Sequence, residues 1–325
     1  MDVATSLALI GPGPHPTTSP RIVSLLAAGT ELVCELGMGG HLVGRSHECD
    51  TPEWVQKLPQ VSRPAFDATG RSGAIDAEVR ARIASKEPLY EIDESLLGSL
   101  APDVLITQTH CEVCAVTPAN LAHGVAAQLT WEKVVALRTG TLEGILHGYA
   151  EVARVLGRAA SAECRSLTQR LRDGLEAVRA QAADQPRPTV VCLEWIDPLF
   201  PMGNWGPELV EVAGGESLLT KPGVHSSAVG WEALRSADPE VLVVAACGFS
   251  MQRSISEMPD LASHPLFREL RAVRTGRVFV ADGNAYFNRS GPAMFDTVRI
   301  LAEILHPDVF QPTHEGRIWV QWPAP

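Results

Sequence analysis

Residues 95–110 read SLLGSLAPDVLITQTH, and residues 232–247 read EALRSADPEVLVVAAC. The two align without a gap: Leu97 falls on Leu234, Pro102 on Pro239, and Val104–Leu105 on Val241–Leu242. Each reads as a helix, a proline turn that stops it, and a β-branched strand. A helix leading into a continuous apolar strand is the pattern of a parallel α/β sheet, whose strands are covered on both faces. Its recurrence predicts two similar α/β lobes. In this register His110 falls opposite Cys247, and both stand just past the carboxyl end of a strand. Open parallel sheets place their ligands there.

The flanking sequence follows the same alternation. RIVSL (21–25), HLVGRS (41–46), VLIT (104–107) and KVVAL (133–137) read as strands. TELVCELG reads as a helix with Thr30 as its cap and Gly37, Gly39 and Gly40 at its end. From Thr141 to about Ala183 the pattern is helical. Leu142, Ile145, Leu146, Tyr149 and Val152 make one stripe, and Leu167, Leu171, Leu175 and Val178 another, with a bend expected at Gly157. QPRP (185–188) ends that stretch. A second α/β region follows, with strands TVVCLEW (189–195), VLVVAAC (241–247) and GRVFVADG (276–283). The expected organisation is a disordered leader over 1–20, an N-terminal α/β lobe over 21–140, a helical region with a spine helix over 141–185, a C-terminal α/β lobe over 186–308 and a tail over 309–325.

Bulk properties exclude several classes. The chain has 325 residues, 45% hydrophobic and 20% charged, and a formal net charge of -11. That suits a folded protein and argues against nucleic acid or an anionic membrane surface as partner. No apolar run is long enough to span a bilayer, so no membrane insertion is expected. The first twenty residues carry Asp2 and no Lys or Arg, which is unlike a signal peptide. Seven scattered cysteines are not a secreted disulfide framework. Together these predict a cytoplasmic location, or a periplasmic one if the true start lies upstream and adds a signal peptide.

Candidate site residues gather at the expected strand ends. His47 and Cys49 follow one strand; His110, Cys111 and Cys114 follow another. Cys and His are the residue types that hold zinc or iron, and five potential ligands would converge if both loops reach one rim. The same groups also read as polar ligand contacts or packed thiols, and, less readily, as a thiol-redox pair. The second lobe carries LEWIDPLFPMGNWGPELVEVAGG (193–215), with Glu194, Trp195 and Trp205. Flat aromatics beside a few polar groups suit a large planar ligand. His225, Cys247, Phe249 and Arg289 complete the candidate ligand-binding set; each also reads as core or surface. Gly-x-Ser-x-Gly, phosphate-binding and His-Glu-x-x-His motifs are missing, which weakens an enzyme reading.

RIVSLLAAGTELVCELG, HLVGRSHECDTPEWV, LAPDVLITQ and GRVFVADGNAYFNRSGPAMFDTVRILAEILHP, in that order, resemble the substrate-binding proteins of cobalamin and iron-siderophore ABC importers, nearest the cobalamin-binding branch. The resemblance covers roughly Arg21 to Pro307. It implies two Rossmann-like lobes with mostly parallel sheets, bridged by a long helix, with the ligand in the cleft between them. It further implies binding without catalysis, of cobalamin or a related corrinoid or metal chelate. An ABC permease becomes a partner only if the chain is exported. The chain departs from the pattern in its leader and in the THCEVC loop. Two alternatives stay open: a zinc or iron site built by the first-lobe cluster, and an enzyme or thiol-redox protein using the cleft cysteines.

Overall fold

The β-branched apolar runs become strands, and most are buried on both faces. In chain order they are β1 (Ile22–Ser24), β2 (Leu42–Arg45), β3 (Ser62–Pro64), β4 (Tyr90–Ile92), β5 (Val104–Gln108), β6 (Val134–Leu137), β7 (Thr189–Trp195), β8 (Phe200–Pro201), β9 (Glu216–Ser217), β10 (Val241–Val244), β11 (Val278–Ala281) and β12 (Trp319–Gln321). The computed structural model describes residues 19–109, 115–117 and 134–323. It divides into two compact units. The first holds the chain up to Thr69 and Ala77–Arg170; the second holds Gly70–Asp76 and the chain from Leu171 onward. The helix Ala162–Ala182 carries the chain from one to the other. Both units are α/β, each built on a mostly parallel sheet. No helix among the described residues is long and apolar enough to cross a membrane.

In the first unit the sheet runs β2-β1-β5-β6, parallel throughout. The helix after β1 spans Ala27–Glu35, not the range a Thr30 cap implies. Leu25 and Leu26 are buried at the end of β1, and the helix begins directly after them. Leu26 stands extended at the cap position without a side-chain bond. The helix lies so close on the sheet that a Cβ on Gly29 would sit 2.6 Å from Cγ2 of Ile106. Thr30 is therefore inside the helix, and its hydroxyl serves another group. Further on, Gly157 adopts φ +67° between the helices Leu142–Val155 and Ala162–Ala182, the left-handed stop that its place in the sequence predicts.

In the second unit the sheet runs β12-β11-β10-β7-β8, with β9 also on β7. β7, β10 and β11 are parallel; β8 and β12 are antiparallel edges. The sequence repeat is real in three dimensions. The helix Glu94–Leu100 ends on Ala101 at φ 42°, and the helix Trp231–Ala237 ends on Asp238 at φ 38°. A proline follows each, then the buried strand β5 or β10.

The C-terminal stretch belongs to this sheet. Trp319 pairs with Ala281, and Gln321 with Phe279. Glu303, wholly buried on the helix Met294–Leu305, fastens it there. Its carboxylate accepts from the Thr313 hydroxyl (2.6 Å), His314 Nδ1 (2.9 Å) and Trp319 Nε1 (3.1 Å). Burial alone disfavours its charge, but these donors outweigh that and hold its pKa below the ordinary value.

Candidate ligand site

At the carboxyl ends of β1 and β2, in the first unit, the polar groups turn on one another. The buried thiol of Cys49 accepts from the Thr30 hydroxyl (3.0 Å), meets Ser46 Oγ (3.2 Å) and donates to the Ser24 carbonyl at 3.7 Å. Burial pushes its pKa up. His47 shares a hydrogen bond with Ser62 through Nδ1 (3.1 Å), and its ring lies 5.4 Å from that of Tyr90. Burial, with the charge of Arg45 behind it, pushes His47 down to about 4, so the ring is neutral at pH 7. Among the described residues no three His, Cys, Asp or Glu side chains gather as a metal site. His110, Cys111 and Cys114 lie outside the described residues.

In the second unit the ends of β7, β10 and β11 are tied together by backbone bonds. The Cys247 amide donates to the Glu194 carbonyl (2.8 Å), and the Gly283 amide to the Phe249 carbonyl (3.0 Å). Asn288 donates to the Ala245 carbonyl (2.7 Å). Trp195 is half-buried and lies 5.2 Å from the ring of Phe249 at 60°. The Arg253 guanidinium stands 3.6 Å over the other ring, that of Phe249, and donates to the Gly70 carbonyl. The Trp195 indole N–H is taken by the Asp197 carbonyl (3.1 Å), which fixes the ring's rotation.

Beside Trp195 stands Glu194. A bulge delivers it: Leu193 pairs with Pro201 and Trp195 with the adjacent Phe200, so Glu194 is the extra residue on β7. Burial raises its pKa to about 7, against the opposing pull of the Ser226 hydroxyl, the His225 charge and the Gly203 amide. Gly203 donates to Ser226 Oγ (2.8 Å), and a Cβ there would lie 2.4 Å from the Val224 carbonyl, so only glycine allows the two loops to close. His225 is exposed, with Nδ1 donating to the Ser226 carbonyl.

Of the candidate residues, the structure brings Glu194, Trp195, His225, Cys247 and Phe249 to one region. Cys247 is half-buried there. Trp205 and Arg289 stand behind it. Trp205 is buried with its indole N–H on the Phe287 carbonyl (3.3 Å), and Arg289 is buried against Asn284 (3.3 Å).

One feature has no local sequence signal. A cavity of about 410 Å³ opens between Asp197, Trp231 and His264 on one side and Arg71–Gly73 on the other. Glu257, buried in its wall, accepts from the Ser72 amide (3.0 Å) and the Ser72 hydroxyl. Arg71 bridges the Ser256 carbonyl and Asp260, both at 3.0 Å. Trp231 and His264 stack at 4.0 Å. These partners are far apart in the chain, so no spacing rule could have joined them.

A family model described as periplasmic binding protein matches residues 22–285. No curated protein matches the chain. Among solved structures, a periplasmic heme binding protein from Pseudomonas aeruginosa aligns with TM-score 0.65 at 23% identity, over 89% of this chain and 94% of its own. An ABC transporter substrate-binding protein from Listeria monocytogenes EGD-e aligns with TM-score 0.69 at 18% identity, over 89% of this chain and 100% of its own. The periplasmic vitamin B12 binding protein BtuF of Vibrio cholerae aligns with TM-score 0.58 at 21% identity, over 88% and 96%. The match to a periplasmic binding protein family over residues 22–285 overturns the expected cytoplasmic location. The leader, residues 1–18, lies outside the described residues.

Proposed function

The chain belongs to the periplasmic binding protein family, and from that premise we propose that it captures a flat metal chelate of the tetrapyrrole class, a heme or a corrinoid. The family is one of solute-binding proteins rather than enzymes, so the site has to hold its guest and not transform it. The observation that carries the reading is the braced ring of Trp195. A half-buried indole, fixed by its own N–H bond and backed by Phe249 and Arg253, is a rigid apolar plate at the carboxyl ends of parallel strands. Rigid aromatic surface binds planar ligands at low entropic cost. Glu194, His225 and Cys247 are the polar contacts of this reading; Trp205, Phe249 and Arg289 frame them from behind. The heme and vitamin B12 binding neighbours support the ligand class, and the ABC transporter neighbour supports delivery to a permease.

Titration with hemin and with hydroxocobalamin, followed in the visible spectrum, tests the proposal. Saturable binding of either is expected, weakened about 10- to 100-fold by Trp195→Ala, at about 1.4 kcal/mol per tenfold. If neither binds at ~100 μM, an affinity of only about 5.5 kcal/mol, the ligand class is wrong.

A further inference from the structure

Resting on the ligand class just given, we propose that Glu194 is the specificity-determining residue of the site, telling a carboxylate-bearing solute rim from an amide-bearing one by the state of its single proton.

Geometry carries this. Glu194 is the bulged residue of β7, next to the half-buried plate of Trp195, and it is not wholly covered itself. Bulges re-aim a side chain beside functional sites. Behind it the Gly203 amide donates to Ser226 Oγ, which leaves the Ser226 proton to point toward the Glu194 carboxyl. That side of the carboxyl is supplied with donors. The carboxyl can meet a solute either as O–H or as O⁻.

Elements packed around Glu194 carry several titratable or charged groups. These are His225 ahead of the helix Trp231–Ala237, the Cys247 thiol after β10, Arg253 on the helix Met251–Ser263, and Asp197 on its own turn. Of these, the charge of His225 acts on it, and burial raises its pKa to about 7. Both protonation states are therefore populated at neutral pH. A solute carboxylate needs the protonated acid, which donates; facing the ionised form it is repelled. A solute amide N–H needs the ionised form, which accepts. Binding of the first kind takes up a proton and strengthens as pH falls through about 7. Binding of the second kind releases one and strengthens as pH rises. One titrating group limits either slope to about tenfold per pH unit.

The test measures dissociation constants of hemin, which carries carboxylates, and cyanocobalamin, which carries amides, from pH 6 to 8. Wild-type protein and Glu194→Gln are compared, because Gln keeps the shape and both hydrogen-bonding roles but cannot titrate. The expected result is opposite slopes in the wild type, up to about tenfold per unit, and the loss of that difference in the variant. If only one solute binds, its slope must have the stated sign and must flatten in the variant. Slopes of the same sign, or slopes the variant leaves unchanged, overturn the proposal while leaving the ligand class standing. Failure of both solutes to bind overturns the two together. Should Glu194→Gln not fold, the signs of the wild-type slopes decide.

Discussion

β1 and β7 hold the same place in their sheets and end differently. Each pairs in parallel with the strand after its following helix, β2 or β9, and on its other side with β5 or β10. After β1 the chain turns straight into the helix Ala27–Glu35. After β7 it first folds back as β8, and only then starts the helix Gly206–Val212. The direct exit gives a closed end, where Thr30, Ser46 and Cys49 satisfy one another and His47 leans on Ser62. The detour gives an open end, where the bulge pushes Glu194 and Trp195 toward the edge. One plan yields a closed end in one unit and, in the other, the bulged end on which the proposed solute surface rests, the difference lying in a two-residue strand.

If that contrast is right, the two ends respond to pH with opposite signs. His47 is held at about 4 against an ordinary 6.5, so its burial is free of cost above 6.5 and costs increasingly as pH falls to 4. Stability is expected to drop by on the order of 3 kcal/mol over that window, and His47→Gln should flatten the drop in urea titrations. Glu194 behaves in reverse. Its ordinary value is 4.5 and its folded value about 7, so both states are protonated below 4.5 and the penalty is full above 7. Glu194→Gln is expected to gain about 2 kcal/mol over the wild type at pH 8 and nothing at pH 4, read from thermal melts at the two values. The smallest effect sharpens the contrast most. Cys49→Ala leaves the Thr30 hydroxyl without its acceptor and should lose about 1 kcal/mol of stability with no change in solute affinity. A loss of affinity instead would place Cys49 in the site and end the distinction.

The strands were legible because their runs are apolar on both faces, as in Val241–Val244, and the repeat was legible because proline stops both of its helices. The helix after β1 was misplaced because Thr30 looks like a cap by type, while tertiary contact gives its hydroxyl to Cys49. Residue types offered His47 and Cys49 as metal ligands, among other readings. Their bonds to a threonine and two serines come from tertiary contact and are not legible in residue type. Trp205 and Trp195 are the same residue type within one short stretch, yet one is buried on a carbonyl and the other stays half-exposed. Glu194 was visible as an acid in an aromatic segment, but its bulge is set by the register of β8 and is not written locally. The bond from Ser72 to Glu257 joins distant segments, and a single sequence gives no sign of it.

β12 carries a consequence for self-association. It is three residues long, it covers the open side of β11, and Pro323 follows soon after it. Short, proline-flanked edges resist pairing with another chain, whereas a bare apolar strand such as Val278–Ala281 offers a row of unpaired amides and carbonyls. Cutting the chain before Thr313 would uncover that row and strip Glu303 of its donors at once. β12 therefore shields that edge from pairing with another chain, and shortened forms are expected to aggregate.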